Sequence, residues 1–231
     1  NMCGAFNNRD LNKCFYADRT IFRNFYFPIE NSKIIKNSCN LKKNYIISGP
    51  NASGKTTVIK SLILNVVLSQ QIGRGFYDKG CVSPYSHIHC YLNIPDTNNR
   101  DSLFQAEARQ CKTILDSIKS SSDAKHFVIF DELYSGTNPY EATASAHGFL
   151  EYLSKYSNVD LMLTTHYIDL CKKISNNSCF KNYHMKIDKK DNDIVYTYEI
   201  TDGISDIKGG LKVLKDLAYP SHILNIASEN L

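Results

Sequence analysis

The segment 44–57, NYIISGPNASGKTT, most narrows the folds open to this chain, because a short apolar run leads into a glycine-bounded loop and then into a helical pattern. The loop reads G-x-x-x-x-G-K-T over residues 49–56, which is the spacing of a P-loop. In such a loop the backbone N–H groups and the N-terminus of the next helix converge on a phosphate, where side chains at the glycines would intrude. The sequence therefore predicts a phosphate site between a buried strand and a helix.

Two residues of this loop carry specific chemistry. Lys55 is expected to bridge the β- and γ-phosphates of ATP, and the hydroxyl of Thr56 is expected to ligate Mg²⁺. An ordinary glycine-rich turn is the alternative, but apolar residues at 58, 59, 62, 63, 66 and 67 indicate the helix that a P-loop requires. The predicted nucleotide-binding residues are Gly49, Pro50, Asn51, Ala52, Ser53, Gly54, Lys55, Thr56 and Thr57.

A second motif, FVIFDE at 127–132, is an apolar strand that ends in two carboxylates. This is the Walker B arrangement, in which Asp131 holds Mg²⁺ through water and Glu132 orients and deprotonates the attacking water. A strand capped by acidic turn residues is the alternative, and the P-loop earlier in the chain favours the catalytic interpretation. A glutamate directly after the aspartate is typical of ABC-type ATPases, which hydrolyse ATP between two facing subunits.

Strand and helix signals alternate along the chain and predict an α/β fold, with a mostly parallel central sheet flanked by helices and a small antiparallel N-terminal part. We interpret residues 1–43 as strands and loops that lead into an ATPase core at 44–231, with one structural domain overall. Strands are expected at 45–48, 87–94, 127–130, 161–164, 183–187 and 194–200, helices at 55–69, 102–119 and 141–155, and a glycine-rich connection at 72–84.

Charge and cysteine usage narrow the surroundings of the protein. The 27 basic residues exceed the 23 acidic ones by only four, and their even spread does not indicate a nucleic-acid surface. Eight cysteines without a C-x-x-C pair favour reduced thiols, so we expect the chain in the cytoplasm or nucleus. No apolar run approaches the roughly 20 residues that a membrane span requires. Because the chain begins with Asn1, we expect an excerpt of a longer chain or incomplete numbering.

Four strings, in this order and spacing, resemble the ATPase domain of the MutS family of DNA mismatch-repair proteins: GPNASGKTT, DELYSGTNPYEA, TTHY and LAYPSHIL. The resemblance runs from about residue 26 to the C-terminus. It implies an enzyme that hydrolyses ATP and pairs with a like ATPase domain, as a homo- or heterodimer, to drive conformational changes on DNA held by domains absent from this chain. The alternative is an ABC-class ATPase without mismatch recognition, either a MutS-like recombination protein or an SMC-like head.

The resemblance also implies roles for single residues. Ser102 is implied to be a signature serine that faces the γ-phosphate of the other subunit, with a plain helix N-cap as the alternative. Gly136 and Thr137 are implied to shape a loop at the dimer interface, and His166 to be a switch histidine that senses the γ-phosphate. Asn51 is implied to reach the γ-phosphate or the facing subunit. The residues implied to pack on adenine are Ile34, Ile35 and Asn37.

Two further features of the sequence are not part of the resemblance. One is a difference from the family in the loop, and the other is a possible metal site. The family has Met and Ser where this chain has Ala52 and Thr56, and threonine keeps the hydroxyl that Mg²⁺ needs. His87, His89 and Cys90 suggest a metal site, but strand alternation places Cys90 on the face opposite the histidines. We therefore do not expect zinc there.

Overall fold

The computed structural model describes residues 11–29, 33–92, 102–190, 193–205, 207 and 209–230. In these residues the chain forms eleven strands and six helices. The strands are β1 (Asn12–Tyr16), β2 (Ile21–Phe25), β3 (Asn37–Asn40), β4 (Asn44–Ser48), β5 (Arg74–Gly75), β6 (Lys79–Val82), β7 (His87–Tyr91), β8 (His126–Asp131), β9 (Val159–Thr165), β10 (Phe180–Lys190) and β11 (Asp193–Asp202). The helices are α1 (Lys55–Ile72), α2 (Leu103–Ser120), α3 (Pro139–Leu153), α4 (Ile168–Ile174), α5 (Gly210–Asp216) and α6 (Ser221–Glu229).

The strands form a mixed α/β fold with two mixed sheets. The six-stranded sheet has the order β11-β10-β4-β9-β8-β7, in which β10 and β11 pair antiparallel and the other four neighbouring pairs are parallel. The tail hairpin and the strand at 87 are thus where the sequence predicts them. Two residues of the strand expected at 87–94, at positions 93 and 94, lie outside the described residues.

The five-stranded sheet, of order β3-β2-β6-β1-β5, corrects the expected antiparallel N-terminal part. β1 pairs parallel with β6, while the remaining neighbours are antiparallel. Two of its strands, β5 and β6, come from the segment expected to be a glycine-rich connection. Because this segment returns from the end of α1 to the side of β1, the small sheet combines strands from before and after the predicted boundary at residue 43.

The large sheet is covered on both faces. Successive side chains of a strand point to opposite sides, so each strand contributes to the packing on both. Along β8, Val128 and Phe130 pack with α2, α3 and α4, whereas Phe127 and Ile129 pack with α1 and the small sheet. Phe149 of α3 packs edge to face on Phe130 with ring centroids 5.6 Å apart. The continuous apolar run of β8 thus reflects burial on two faces.

Two helix ends fix the positions of loops around the sheet. α1 begins after Gly54, whose φ of 94° is left-handed, and ends at Gly73, whose N–H donates to the carbonyl of Ser69. α3 begins two residues earlier than expected, because the Asn138 side chain caps it and Pro139 occupies its first turn. Among the described helices none combines the length and apolarity needed to cross a membrane.

Candidate functional site

The carboxyl ends of three neighbouring parallel strands meet at one edge of the six-stranded sheet. β4 ends at Ser48 before the glycine-bounded loop, β8 ends at Asp131, and β9 ends at Thr165 before His166. Ligands of open α/β sheets bind in the crevice at this edge, and a cavity of about 730 Å³ lies here. The predicted site residues that line it are Asn51, Ala52, Gly54, Lys55, Thr56, Thr57, Asp131, Glu132, Ile34, Ile35 and Asn37.

The loop between β4 and α1 is tightly folded. The Ser53 N–H donates to the Pro50 carbonyl over 3.3 Å, and Ala52 has a left-handed φ of 63°. A Cβ added to Gly54 would lie 2.8 Å from the ring of Tyr198, so only glycine fits between this ring and the loop. The Ser53 hydroxyl is buried and has no hydrogen-bond partner among the described residues. A buried donor without a partner is rare, and this one lies in the loop that the sequence predicts to hold phosphate.

Lys55, the first residue of α1, places a buried cation over the loop. Its Nζ donates to the carbonyls of Gly49 and Pro50 over 2.9 and 3.0 Å, and its side chain is only 5% exposed. Nζ also lies 3.5 Å from Oε1 of Glu132. Burial lowers the pKa of the Lys55 ammonium, against the opposing effect of the Glu132 charge. The ammonium therefore joins the loop to the carboxylate that follows β8.

Asp131 brings together two hydroxyl groups from distant parts of the chain. Thr56 Oγ1 donates to its Oδ2 over 2.8 Å, and Thr164 Oγ1 donates to its Oδ1 over 2.5 Å. Hydroxyl and carboxylate oxygens are the ligands that Mg²⁺ prefers. The predicted metal pair, Thr56 and Asp131, is thus adjacent. Thr164 is a member of the site that sequence reasoning missed, although it stands in the quoted TTHY string.

Glu132 has a different set of partners from its neighbour. Its Oε1 lies 3.3 Å from Nδ1 of His166 and 3.5 Å from Nζ of Lys55, and its φ of 57° is left-handed. The hydrogen bond with His166 lowers the pKa of the Glu132 carboxyl, as does the charge of Lys55, while burial opposes them. A depressed pKa keeps this carboxylate ionised at neutral pH. His166 contacts Glu132 but does not line the cavity.

Ser102 caps α2 in the way that the alternative interpretation predicts. Its Oγ accepts from the N–H of Gln105 over 3.3 Å, and its own N–H donates to the Gln105 side chain over 3.0 Å, which is a capping box. The hydroxyl still carries a proton that it can donate outward. Ser102 is exposed and stands beside the cavity, since its neighbour Leu103 lines it.

The turn at 135–137 packs against the start of α2. A Cβ on Gly136 would lie 2.6 Å from the backbone N of Phe104, so the two segments touch through the glycine. The Thr137 hydroxyl donates to Oε2 of Glu141 over 2.5 Å. Neither Gly136 nor Thr137 lines the cavity, whereas the preceding Ser135 does.

The apolar wall of the cavity comes from the segment before β3. Ile34 and Ile35 lie there together with Phe25, Phe27 and Ile29. These side chains provide a surface on which the flat face of an adenine ring can pack.

Asn37 lines the cavity as well and also holds a neighbouring strand. Its Nδ2 donates to the Tyr198 carbonyl over 3.1 Å, and its Oδ1 accepts from the Ile200 N–H over 2.8 Å. The amide thereby holds the backbone at Tyr198, which has a left-handed φ of 62° and whose ring lines the cavity. Tyr198 was missed by sequence reasoning, because nothing in the string YTY signals a left-handed tyrosine.

Comparison with known families shows to which family a chain with this mixed α/β fold belongs. Residues 45–231 match the family model described as MutS domain V, so the chain belongs to the MutS family. Similar curated proteins are each called DNA mismatch repair protein MutS. That of Streptococcus pyogenes serotype M1 is 29% identical over 185 residues, covering 80% of this chain and 21% of the relative.

Two other relatives agree with this assignment. The protein of Wolbachia pipientis wMel is 27% identical over 200 residues, covering 86% of this chain and 23% of the relative. That of Staphylococcus saprophyticus is 24% identical over 201 residues, covering 85% of this chain and 22% of the relative. The chain thus spans about a fifth of the length of the curated relatives it matches.

Proposed function

We propose that this chain binds ATP with Mg²⁺ and hydrolyses the ATP, as the ATPase domain of a MutS-like protein in DNA mismatch repair or genome maintenance. The observation that carries the proposal is the meeting of Lys55, Thr56, Asp131 and Glu132 at one cavity. These residues come from two segments 75 positions apart. Acidic turn residues that only cap a strand have no reason to contact the lysine and threonine of a glycine-bounded loop.

The residues present fit a magnesium nucleotide. The cavity of about 730 Å³ is within the range of small-molecule sites, roughly 300–1,000 Å³. Its polar side offers a hydroxyl–carboxylate pair and a buried ammonium, and its apolar side offers isoleucines and aromatic rings. The unpartnered Ser53 hydroxyl lies in the loop beside it. Thr56 and Asp131 would hold the metal, and the loop with Lys55 would hold the phosphates. When bound, Mg²⁺ supplies positive charge against the phosphate oxygens.

In this proposal Glu132 is the general base. Its carboxylate accepts a proton from the water that attacks the γ-phosphate, and the products are ADP and phosphate. His166 orients the carboxylate through the 3.3 Å contact, which gives the switch histidine a route to the reacting atoms. Its hydrogen bond and the charge of Lys55 keep Glu132 ionised and ready to accept the proton.

The partner in this proposal is a like ATPase domain, in a homo- or heterodimer. Ser102 is exposed at the start of α2 and would donate its hydroxyl proton to nucleotide in the facing domain, beside the turn that contains Gly136 and Thr137. DNA would be held by domains that correspond to the parts of the relatives that this chain does not span. The name of the relatives, DNA mismatch repair protein MutS, favours mismatch repair over recombination as the process served.

The proposal is tested by calorimetric titration of the full-length protein with Mg²⁺-ATP. Lys55→Ala removes the cation and should weaken binding by about 30-fold or more, since deleting one partner of a buried charge pair is costly. Lys112→Ala is the matched control, because Lys112 is exposed on α2 and, within the part of the chain that the structure describes, forms an ion pair with Asp116 on the same helix alone. Circular dichroism should show both variants folded. Wild-type ATP affinity in folded Lys55→Ala would refute the phosphate site.

A further inference from the structure

Glu107 is a buried carboxylate for which the proposed chemistry has no direct use. It lies in the second turn of α2 and is only 2% exposed. Its Oε1 accepts from the Ser135 N–H over 3.0 Å and from the Ser135 hydroxyl over 2.8 Å, and its Oε2 accepts from the Gly136 N–H over 3.0 Å. Buried charges are retained where they are fully hydrogen-bonded. All three of these hydrogen bonds go to a single short turn, although Glu107 also lines the cavity.

The turn that Glu107 holds is the continuation of the segment that presents Glu132. Both Glu132 and Tyr134 have left-handed φ values, 57° and 60°. Non-glycine residues persist in this region only where the surrounding structure over-determines them. The Glu132 N–H is fixed to the Thr164 carbonyl over 3.1 Å, which secures the start of the segment. The Glu107 carboxylate secures its end.

We propose that Glu107 is a positioning residue for Glu132, and that it ties the general base to the start of α2. The two backbone N–H groups that it accepts fix the exit of the strained segment 132–135 and so fix the direction of the Glu132 side chain. This inference rests on the proposed ATP hydrolysis and adds to it how the base is aimed.

The hydrogen bonds of Glu107 with Ser135 and Gly136, called the clamp below, connect the two roles proposed for one domain. These roles are hydrolysis at its own Glu132 and contact with the facing domain at Ser102. Gly136 touches the backbone of Phe104, and Ser102 caps the same helix start. The turn and the first turns of α2 therefore behave as one body. A contact that the facing domain makes at Ser102 is passed through Glu107 to the domain's own Glu132. The two nucleotide sites of the proposed dimer are thereby coupled within each domain.

The first experiment compares Glu107→Gln with wild-type full-length protein. The amide keeps one acceptor oxygen, and its NH₂ group then faces a backbone N–H of the turn, so at least one of the three hydrogen bonds is lost and the turn is loosened. Mg²⁺-ATP affinity should stay within about twofold, while single-turnover hydrolysis should fall by about tenfold or more, since small displacements of a reacting group have large effects. Hydrogen exchange of the Ser135 and Gly136 amides should quicken. Ser135→Ala, which deletes only the 2.8 Å hydroxyl bond, should show the same pattern more weakly.

Asp160→Asn is the matched control at the opposite end of the sheet. Asp160 is also largely buried, accepts from the Tyr85 hydroxyl over 2.6 Å and lies 3.3 Å from Lys125 Nζ. Its loss should lower stability without changing the hydrolysis rate per folded molecule. A purely structural Glu107 would give the same result as this control, with stability lost and the single-turnover rate retained.

The outcomes separate the two proposals. Unchanged amide exchange at 135 and 136 in folded Glu107→Gln refutes the clamp, even in an active enzyme. Faster exchange with a wild-type hydrolysis rate refutes the positioning role. A wild-type protein that binds no ATP refutes the proposed function itself. If Glu107→Gln does not fold, Ser135→Ala decides the matter by the same two readouts.

Coupling through the clamp is measured by combining Ser102→Ala with Glu107→Gln. Ser102 is also proposed to donate to nucleotide in the facing domain, so Ser102→Ala has a direct effect in either background. If Ser102 in addition acts on Glu132 through Glu107, the double variant should lose clearly less activity than the product of the two single losses, because that part of the effect is already removed. Rate losses that multiply would refute the connection between Ser102 and Glu132.

Discussion

Asp131 and Glu132 are adjacent in the chain yet have separate partners. Asp131 accepts from two threonine hydroxyls, whereas Glu132, with its left-handed backbone, turns to Lys55 and His166. In the proposed function one carboxylate serves the metal and the other accepts a proton. This difference gives the two residues distinct expected phenotypes.

Glu132→Gln retains the size of the side chain but loses its ability to accept a proton. We expect Mg²⁺-ATP to bind normally and turnover to fall on the order of 100-fold or more. Asp131→Asn should instead weaken Mg²⁺-ATP, because that carboxylate serves the metal. Binding calorimetry and single-turnover hydrolysis on both variants check this. A Glu132→Gln variant that hydrolyses at the wild-type rate would place the water-activating group elsewhere.

At the scale of elements, β7 and β8 carry a stack of three histidines on one face. The ring centroid of His126 lies 4.7 Å from that of His87 and 5.4 Å from that of His89. His126 Nε2 lies 3.1 Å from the Ser121 carbonyl, so it carries a proton, and His126 Nδ1 then accepts from His89 Nε2 over 3.1 Å. Stacked rings cannot aim their nitrogens at one ion. Among the described residues no cluster of three or more such side chains is arranged for a metal.

This stack predicts a loss of stability in mild acid. Burial, followed by the charges of His126 and His87, lowers the pKa of His89 from 6.5 to about 4. Between these values the unfolded chain binds a proton that the folded chain does not, so the free energy of unfolding falls as pH drops from 6.5 to about 4. Urea unfolding at several pH values should show a smaller decline for His89→Gln than for wild type.

The control for this prediction is His147→Gln. His147 lies on α3, is about a third exposed and pairs with Glu151 at 3.7 Å, outside the stack. The depressed pKa of Glu132 also lowers stability in acid, and it does so equally in wild type and His89→Gln. An identical pH dependence in these two proteins would contradict the prediction.

At the scale of the whole molecule, the proposed dimer predicts that nucleotide controls association. Sedimentation of the Glu132→Gln protein should show a larger species with Mg²⁺-ATP than without it, because bound ATP completes the contact with the facing domain. Ser102→Arg should lower ATPase activity without weakening ATP binding. Ser120→Arg, at the exposed far end of α2, is the matched control. Normal turnover in Ser102→Arg would contradict a role for this serine across the interface.

The sequence by itself predicted the strand at 45–48 and the helix at 55–69 around the loop, which the structure extends to 44–48 and 55–72. It also predicted the apolar strand before Asp131 and, within one residue, both ends of α2. These features depend on local physical rules: glycine where φ is left-handed, apolar spacing along a helix, and a serine at a helix start. The P-loop and Walker B motifs also assigned Thr56 and Asp131 to one metal ion, and the structure places these two side chains in contact. The metal itself stays a prediction.

Only the tertiary structure decided the mixed small sheet and the contacts made by Asn37, Glu107 and Tyr198. Asn37 meets the Ile200 N–H across 163 positions, and Glu107 meets Ser135 across 28. An asparagine or a glutamate in a sequence does not indicate such a partner, because either residue is equally suited to an exposed surface. Their roles arise when folding removes water from them and leaves strained backbone as the remaining donor or acceptor, a condition that exists only in the packed molecule.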